Sequence, residues 1–221
     1  MPEAVRWAVP LVVVLTVAAC TRRPPPAPAP SPTPPAFASE IRPVTGADVA
    51  GSWRPGCPVA PDRLRLVRLT QWDFAGQPRT GTLVVHEAVA ADVVTVFDAL
   101  FRHRFPIRQM RPVDVYGGDD AASMAADNTS GFNCRRAVTE GAASWSTHAY
   151  GRAIDVNPVE NPYLLGDRVL PPAGVAYVDR GAYRPGMAVP DGALVRAFAA
   201  VGWSWGGVWS NPDYQHFSRA G

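Results

Sequence analysis

The chain is predicted to fold as α+β: a single compact domain over residues 45–221, in which a small antiparallel sheet carries a metal site and helices flank it. Three observations predict this. Short stretches such as 82–86, 152–157 and 215–217 place their side chains alternately on two faces, the two-residue period of a strand. Residues 91–104 instead place Val93, Val96, Phe97, Leu100 and Phe101 at helical spacing. The length that remains after the N-terminal segments suits one domain of ordinary size.

Taken from the start, Arg6 precedes an apolar stretch from Trp7 to Ala19 that is too short for a comfortable membrane span but has the length of a signal-peptide core. Residues 1–19 are therefore expected to be a signal peptide. Val17-Ala18-Ala19-Cys20 resembles a bacterial lipobox, which implies cleavage ahead of Cys20 and lipid on its sulfur. The expected location is the outer face of the bacterial cell membrane, since acyl chains contribute about 0.8 kcal/mol per buried methylene.

Residues 20–44 read as a linker. Pro24 to Pro35 contains eight prolines in twelve residues, with only Ala, Ser and Thr between them. That composition favours extended polyproline II, about 37 Å long at about 3.1 Å per residue. The formal net charge of +2 gives no reason to expect a nucleic-acid partner, and a monomer is expected. With Cys20 assigned to lipid, Cys57 and Cys134 form an even pair in an oxidising compartment. A disulfide is expected, and zinc ligation by the two thiols is the competing reading.

Within the domain, Thr82–His86 reads as a strand, Ala91–Arg104 as a helix, Val113–Tyr116 as extended and Leu194–Val201 as a second short helix. His86 and His103 fall in these scaffold elements and read as structural. Asp119, Asp120 and Asp127 read as turn residues, with a part in shaping the cleft as the second reading. Residues 158–190, rich in Gly, Pro and Tyr, form a long excursion of the kind that borders a site.

The other two of the four histidines sit in the most informative motifs, Ser146-Thr147-His148-Ala149-Tyr150-Gly151-Arg152-Ala153-Ile154-Asp155 and Asp213-Tyr214-Gln215-His216-Phe217. Strand alternation puts Ala153 and Asp155 on one face while Ile154 and Val156 point into a core. Gly151 can take backbone angles closed to other residues, letting the chain turn between His148 and Asp155. Catalytic zinc takes three protein ligands and leaves a position for water, and His148, Asp155 and His216 supply two imidazoles and a carboxylate. Asp213 is left over as a base. Trp145, Trp203, Trp205 and Trp209 surround these motifs, at least two of them expected in the core and the others along a substrate groove.

Ser-x-His-x-x-Gly-x-Ala-x-Asp followed by Asp-x-x-His-Phe resembles the zinc peptidases of the VanY and D-alanyl-D-alanine carboxypeptidase group, from about Arg65 to Phe217. The resemblance implies Zn2+ on His148, Asp155 and His216, with Asp213 as catalytic acid/base. The carboxypeptidase branch has glutamate at that position, so the aspartate here looks more like the L-alanyl-D-glutamate endopeptidase branch. It further implies that Ser146 binds substrate, although a turn or capping serine reads equally well, and that Arg135, after the segment 119–134, meets a substrate carboxylate or oxyanion. All 21 basic residues are arginine, so only this place in the pattern distinguishes Arg135. The implied substrates are peptidoglycan stem peptides. Two further readings share the residues: a non-catalytic, zinc-containing wall-binding lipoprotein, and a two-histidine, one-carboxylate iron oxygenase.

Overall fold

Leu64, Leu66, Val67 and Leu69 are all but sealed from solvent while Arg68 between them is exposed, and this pattern makes β2 (Leu64–Trp72) the central strand of a sheet. The computed structural model describes residues 35–138 and 144–220, together with the isolated positions Met1 and Glu3. The signal segment, Cys20 and the proline run to residue 34 lie outside the described residues. β1 (Ser39–Pro43) pairs antiparallel with β2, and so does β3 (Pro78–His86) through the whole length from Leu64↔His86 to Trp72↔Pro78. β1 lies in the last residues of the stretch read as linker. Pairing Ile41 against Val67 gives that stretch a place at the sheet edge.

The first expected helix is present as α1 (Ala90–Arg102), and Val93, Val96, Phe97, Leu100 and Phe101 turn toward the sheet. Fully burying each such side chain contributes about 1.5–3 kcal/mol, so this face fixes the helix on β2. The second is α3 (Ala193–Ala199), whose Phe198 stacks on Phe217 with ring centroids 4.2 Å apart. Between them lie β4 (Gln109–Met110), α2 (Asp120–Ala125) and β5 (Asn128–Thr129), with β4 and β5 parallel. The chain thus has an α+β architecture, in agreement with expectation.

Val113–Tyr116 corrects one expectation, forming a 3-10 helix where the two valines suggest a strand. Pro112 presets its start and Gly117 ends it at φ +66°. The Asp114 carboxylate then accepts from the Gly51 and Ser52 amides and the Ser52 hydroxyl, at 2.6 to 3.0 Å. A Cβ on the following residue, Gly118, would meet the Gly51 carbonyl at 2.2 Å, so the close approach requires glycine. These long-range bonds override local β preference.

Cys57 and Cys134 are joined in a disulfide, and Cys134 is fully buried beside Val49, Leu64, Val84 and Phe132. Their sequence separation of 77 corresponds to a loop-closure contribution of roughly 4 kcal/mol. The Cys57→Ser, Cys134→Ser double variant should lose stability of that order in urea unfolding. A loss below about 1 kcal/mol would mean that the bridge adds little beyond the packing around it.

A second sheet has the order β6-β10-β9, from β6 (Ala153–Asp155), β9 (Ser204–Trp205) and β10 (His216–Ser218). The excursion between β6 and α3 holds the hairpin of β7 (Tyr163–Leu165) and β8 (Arg168–Leu170).

Candidate metal centre

The register of β10 on β6 builds the site. His216 lies directly opposite Asp155, so both side chains share one face, while the next pair, Phe217 and Ile154, enters the core on the other. β6 is also bracketed by Ser130, which exchanges two backbone hydrogen bonds with Asp155 at 2.9 and 3.0 Å. The third group arrives from a 3-10 turn, Thr147–Tyr150, that Ser146 caps by accepting from the His148 amide at 3.3 Å. Gly151 ends that turn at φ +63°, and a Cβ there would meet the His86 amide nitrogen at 2.6 Å. Glycine therefore carries the chain from His148 into β6, as its position suggests.

His148 Nε2 and His216 Nδ1 stand 3.2 Å apart, each lies 3.1 Å from one of the two Asp155 carboxylate oxygens (Oδ2 and Oδ1 respectively), and all three residues are buried. Four-coordinate zinc with bonds of about 2.0–2.1 Å has ligand-to-ligand edges of about 3.3–3.4 Å, so the triangle is close to the size a metal demands. Its chemistry fits as well. His148 Nδ1 lies 2.7 Å from the Gly131 carbonyl, which can only accept, so Nδ1 carries the proton and Nε2 turns its lone pair to the centre. His216 Nε2 lies 3.2 Å from the Thr147 hydroxyl, leaving Nδ1 to face the same point. Two imidazole nitrogens and a carboxylate aimed at one point form a donor set that a cation satisfies. Burial alone would raise the Asp155 carboxyl, but His148 and His216 hold it well below the ordinary carboxylate range.

A cavity of about 290 Å3 opens over these residues and is also lined by Asp120, Arg135, Ser146, Trp145, Tyr163, Trp209, Asp213 and Gln215. Asp213 is held by its amide, which donates to the Gly206 carbonyl at 3.0 Å, and by a backbone bridge to Tyr163. Its Oδ1 is sealed from solvent with no hydrogen-bond partner. Burial, followed by the charge of Asp155, pushes the Asp213 carboxyl up to about 7. That meets the expectation for a proton shuttle, since an ordinary aspartate holds its proton too weakly. A bound dication opposes the rise, and a base must be ionised to act. The rate should therefore fall with acidification along a limb between the ordinary 3.8 and about 7. A kcat/KM profile flat down to the ordinary value would remove Asp213 from this role.

His148, Asp155, His216, Asp213, Arg135 and Ser146 all line this cavity. Ser146 is both the cap of the 3-10 turn and part of the cavity wall. Arg135 lines the cavity with its Nε 2.8 Å from Asp120 Oδ1. Asp120 is thus more than a turn residue, whereas Asp119 caps α2 and Asp127 accepts from the Val159 amide and pairs with Arg108. Cys57 and Cys134 are bridged to each other and so are not ligands. Trp203 and Trp205 are core residues, and Trp145 and Trp209 face the cavity. His86 caps a 3-10 turn through Nδ1, and His103 caps the end of α1. Sequence reasoning missed Thr147 and the Gly131 carbonyl, which orient the two imidazoles, because neither residue type signals such a role.

No curated protein and no solved structure shows significant similarity to the chain. Residues 139–219, the stretch that holds His148, Asp155, Asp213 and His216, match the family model described as D-alanyl-D-alanine carboxypeptidase, so over this stretch the chain is similar to that family.

Proposed function

We propose that the protein is a zinc peptidase that hydrolyses peptidoglycan stem peptides, either at the terminal D-alanine or between L-alanine and D-glutamate. The observation that carries the reading is the triangle of His148, Asp155 and His216 with the proton-holding Asp213 in the same cavity, all within the family-matched stretch. Zn2+, if held by His148, Asp155 and His216, would supply a Lewis acid for the scissile carbonyl and would lower the pKa of a water to about 7. Asp213 accepts a proton from the attacking water and returns it to the departing amine. Arg135 presents donors where negative charge builds on the carbonyl oxygen. Trp145 and Trp209 give the cavity flat apolar walls that exclude bulk water and fit the methyl groups of alanine.

Export as a lipoprotein through Cys20, with the proline run as a spacer, belongs to the same proposal and would put the cavity within reach of the wall polymer. Incubating the zinc-loaded protein with purified muropeptides and reading the fragments by mass spectrometry tests the reaction. Release of a terminal alanine supports the first bond, and separation of L-alanine from the remaining peptide supports the second. No fragments, or fragments unaffected by a chelator, would reject the proposal.

A further inference from the structure

Among the described residues that line the cavity Arg135 is the one arginine, and it does not meet the cavity as a bare cation. Its Nε is paired with Asp120 Oδ1 at 2.8 Å, and both side chains are partly buried. The same Asp120 oxygen accepts from Asn133 Nδ2 at 3.4 Å. Asn133 is itself buried, and its amide donates to the His148 carbonyl at 3.2 Å. A continuous set of contacts therefore runs from a metal-ligand residue through Asn133 and Asp120 to the Arg135 guanidinium.

Two physical consequences follow. Asp120 sits beside Nε as a counter-charge, with Nε itself buried and without an aligned hydrogen-bond partner, so the donors that can meet a ligand are the distal Nη groups. The pair also carries no net charge, so an incoming carboxylate meets the repulsion of Asp120 along with the attraction of Arg135, whereas a neutral carbonyl oxygen still finds N–H donors.

We propose that Asp120 is a positioning and specificity residue: it sets Arg135 relative to the metal ligands and cancels its charge, so that this subsite receives an uncharged peptide carbonyl and not a chain-terminal carboxylate. The proposal rests on the stem-peptide reading for the identity of the substrate, and it favours cleavage of an internal bond.

The test is calorimetric binding of N-acetyl-D-alanine and of its amide, N-acetyl-D-alaninamide, to the zinc-loaded protein and to Asp120→Asn. The metal's own attraction for the acid is common to both proteins, so the change in the acid-over-amide affinity ratio reads the charge at Arg135. That ratio should rise about tenfold in the variant, the scale of gaining a charge-assisted hydrogen bond without an opposing charge. Asp120→Ser should shift it in the same direction and serves if Asp120→Asn does not fold, with circular dichroism melting as the check. An unchanged or lower ratio in a folded variant overturns the proposal, as does failure of both ligands to bind any of the proteins at millimolar concentration. Absence of stem-peptide hydrolysis by the wild type would instead overturn the peptidase reading, while the binding ratio still decides the role of Asp120.

Discussion

Asp213→Ala should lower the rate of stem-peptide hydrolysis by roughly 10^2- to 10^4-fold, the usual contribution of a positioned acid/base, with metal content unchanged. The reasons lie in placement. Asp213 is not a member of the triangle that can hold the metal, yet it lines the same cavity, and burial holds its carboxyl near neutrality. The loss should fall mainly on kcat, because the proton transfer belongs to the transition state and not to ground-state binding. Removing a sealed carboxyl oxygen that has no partner also relieves the protein of a buried polar group, so the variant should be at least as resistant to urea as wild type. Single-turnover kinetics with zinc quantified in the same sample is the decisive measurement. Wild-type rates in a zinc-replete variant would show that another group moves the proton.

Asp155→Ala should have the other large effect, loss of both metal and activity. Asp155 supplies the carboxylate of the triangle and lies opposite His216 in the sheet, and its removal leaves two imidazoles and no anionic donor. Zinc retained after dialysis should fall from one equivalent to near none. A metal that binds only the folded form raises stability by about 4 kcal/mol at a free concentration a thousand times its Kd. The wild type should accordingly melt higher when zinc is added, and the variant should not respond. Because the backbone of residue 155 keeps its bonds to Ser130, the variant should still fold. Full zinc occupancy in Asp155→Ala would reject the ligand assignment.

The triangle of candidate ligands was legible in the sequence because the strand period fixes which side chains share a face, and an aspartate and a histidine on paired strands need only the right register to meet. The helix over 90–102 was legible for the same reason, its apolar residues recurring at 3.6. What stayed hidden depends on long-range geometry. Val113 and Val115 suggest a strand, but Asp114 bonded to Gly51 and Ser52 fixes a tight helical turn. Ser39–Pro43 has no strong alternation and becomes a strand only because β2 offers an edge. Thr147 and the Gly131 carbonyl act through contacts with residues 17 or more positions away, and nothing in their immediate neighbourhood announces them, whereas Asp120 could be named for the cleft but not paired with Arg135.

The pairing of β10 with β6 has a consequence for biosynthesis. A ribosome that has added Tyr214 has already delivered His148 and Asp155, yet the nascent polypeptide still lacks the imidazole that completes the triangle. An ion held by the triangle would thus report that this strand has been made and has docked on β6 in the correct frame. Copies that stop before His216 would lack one corner of the triangle.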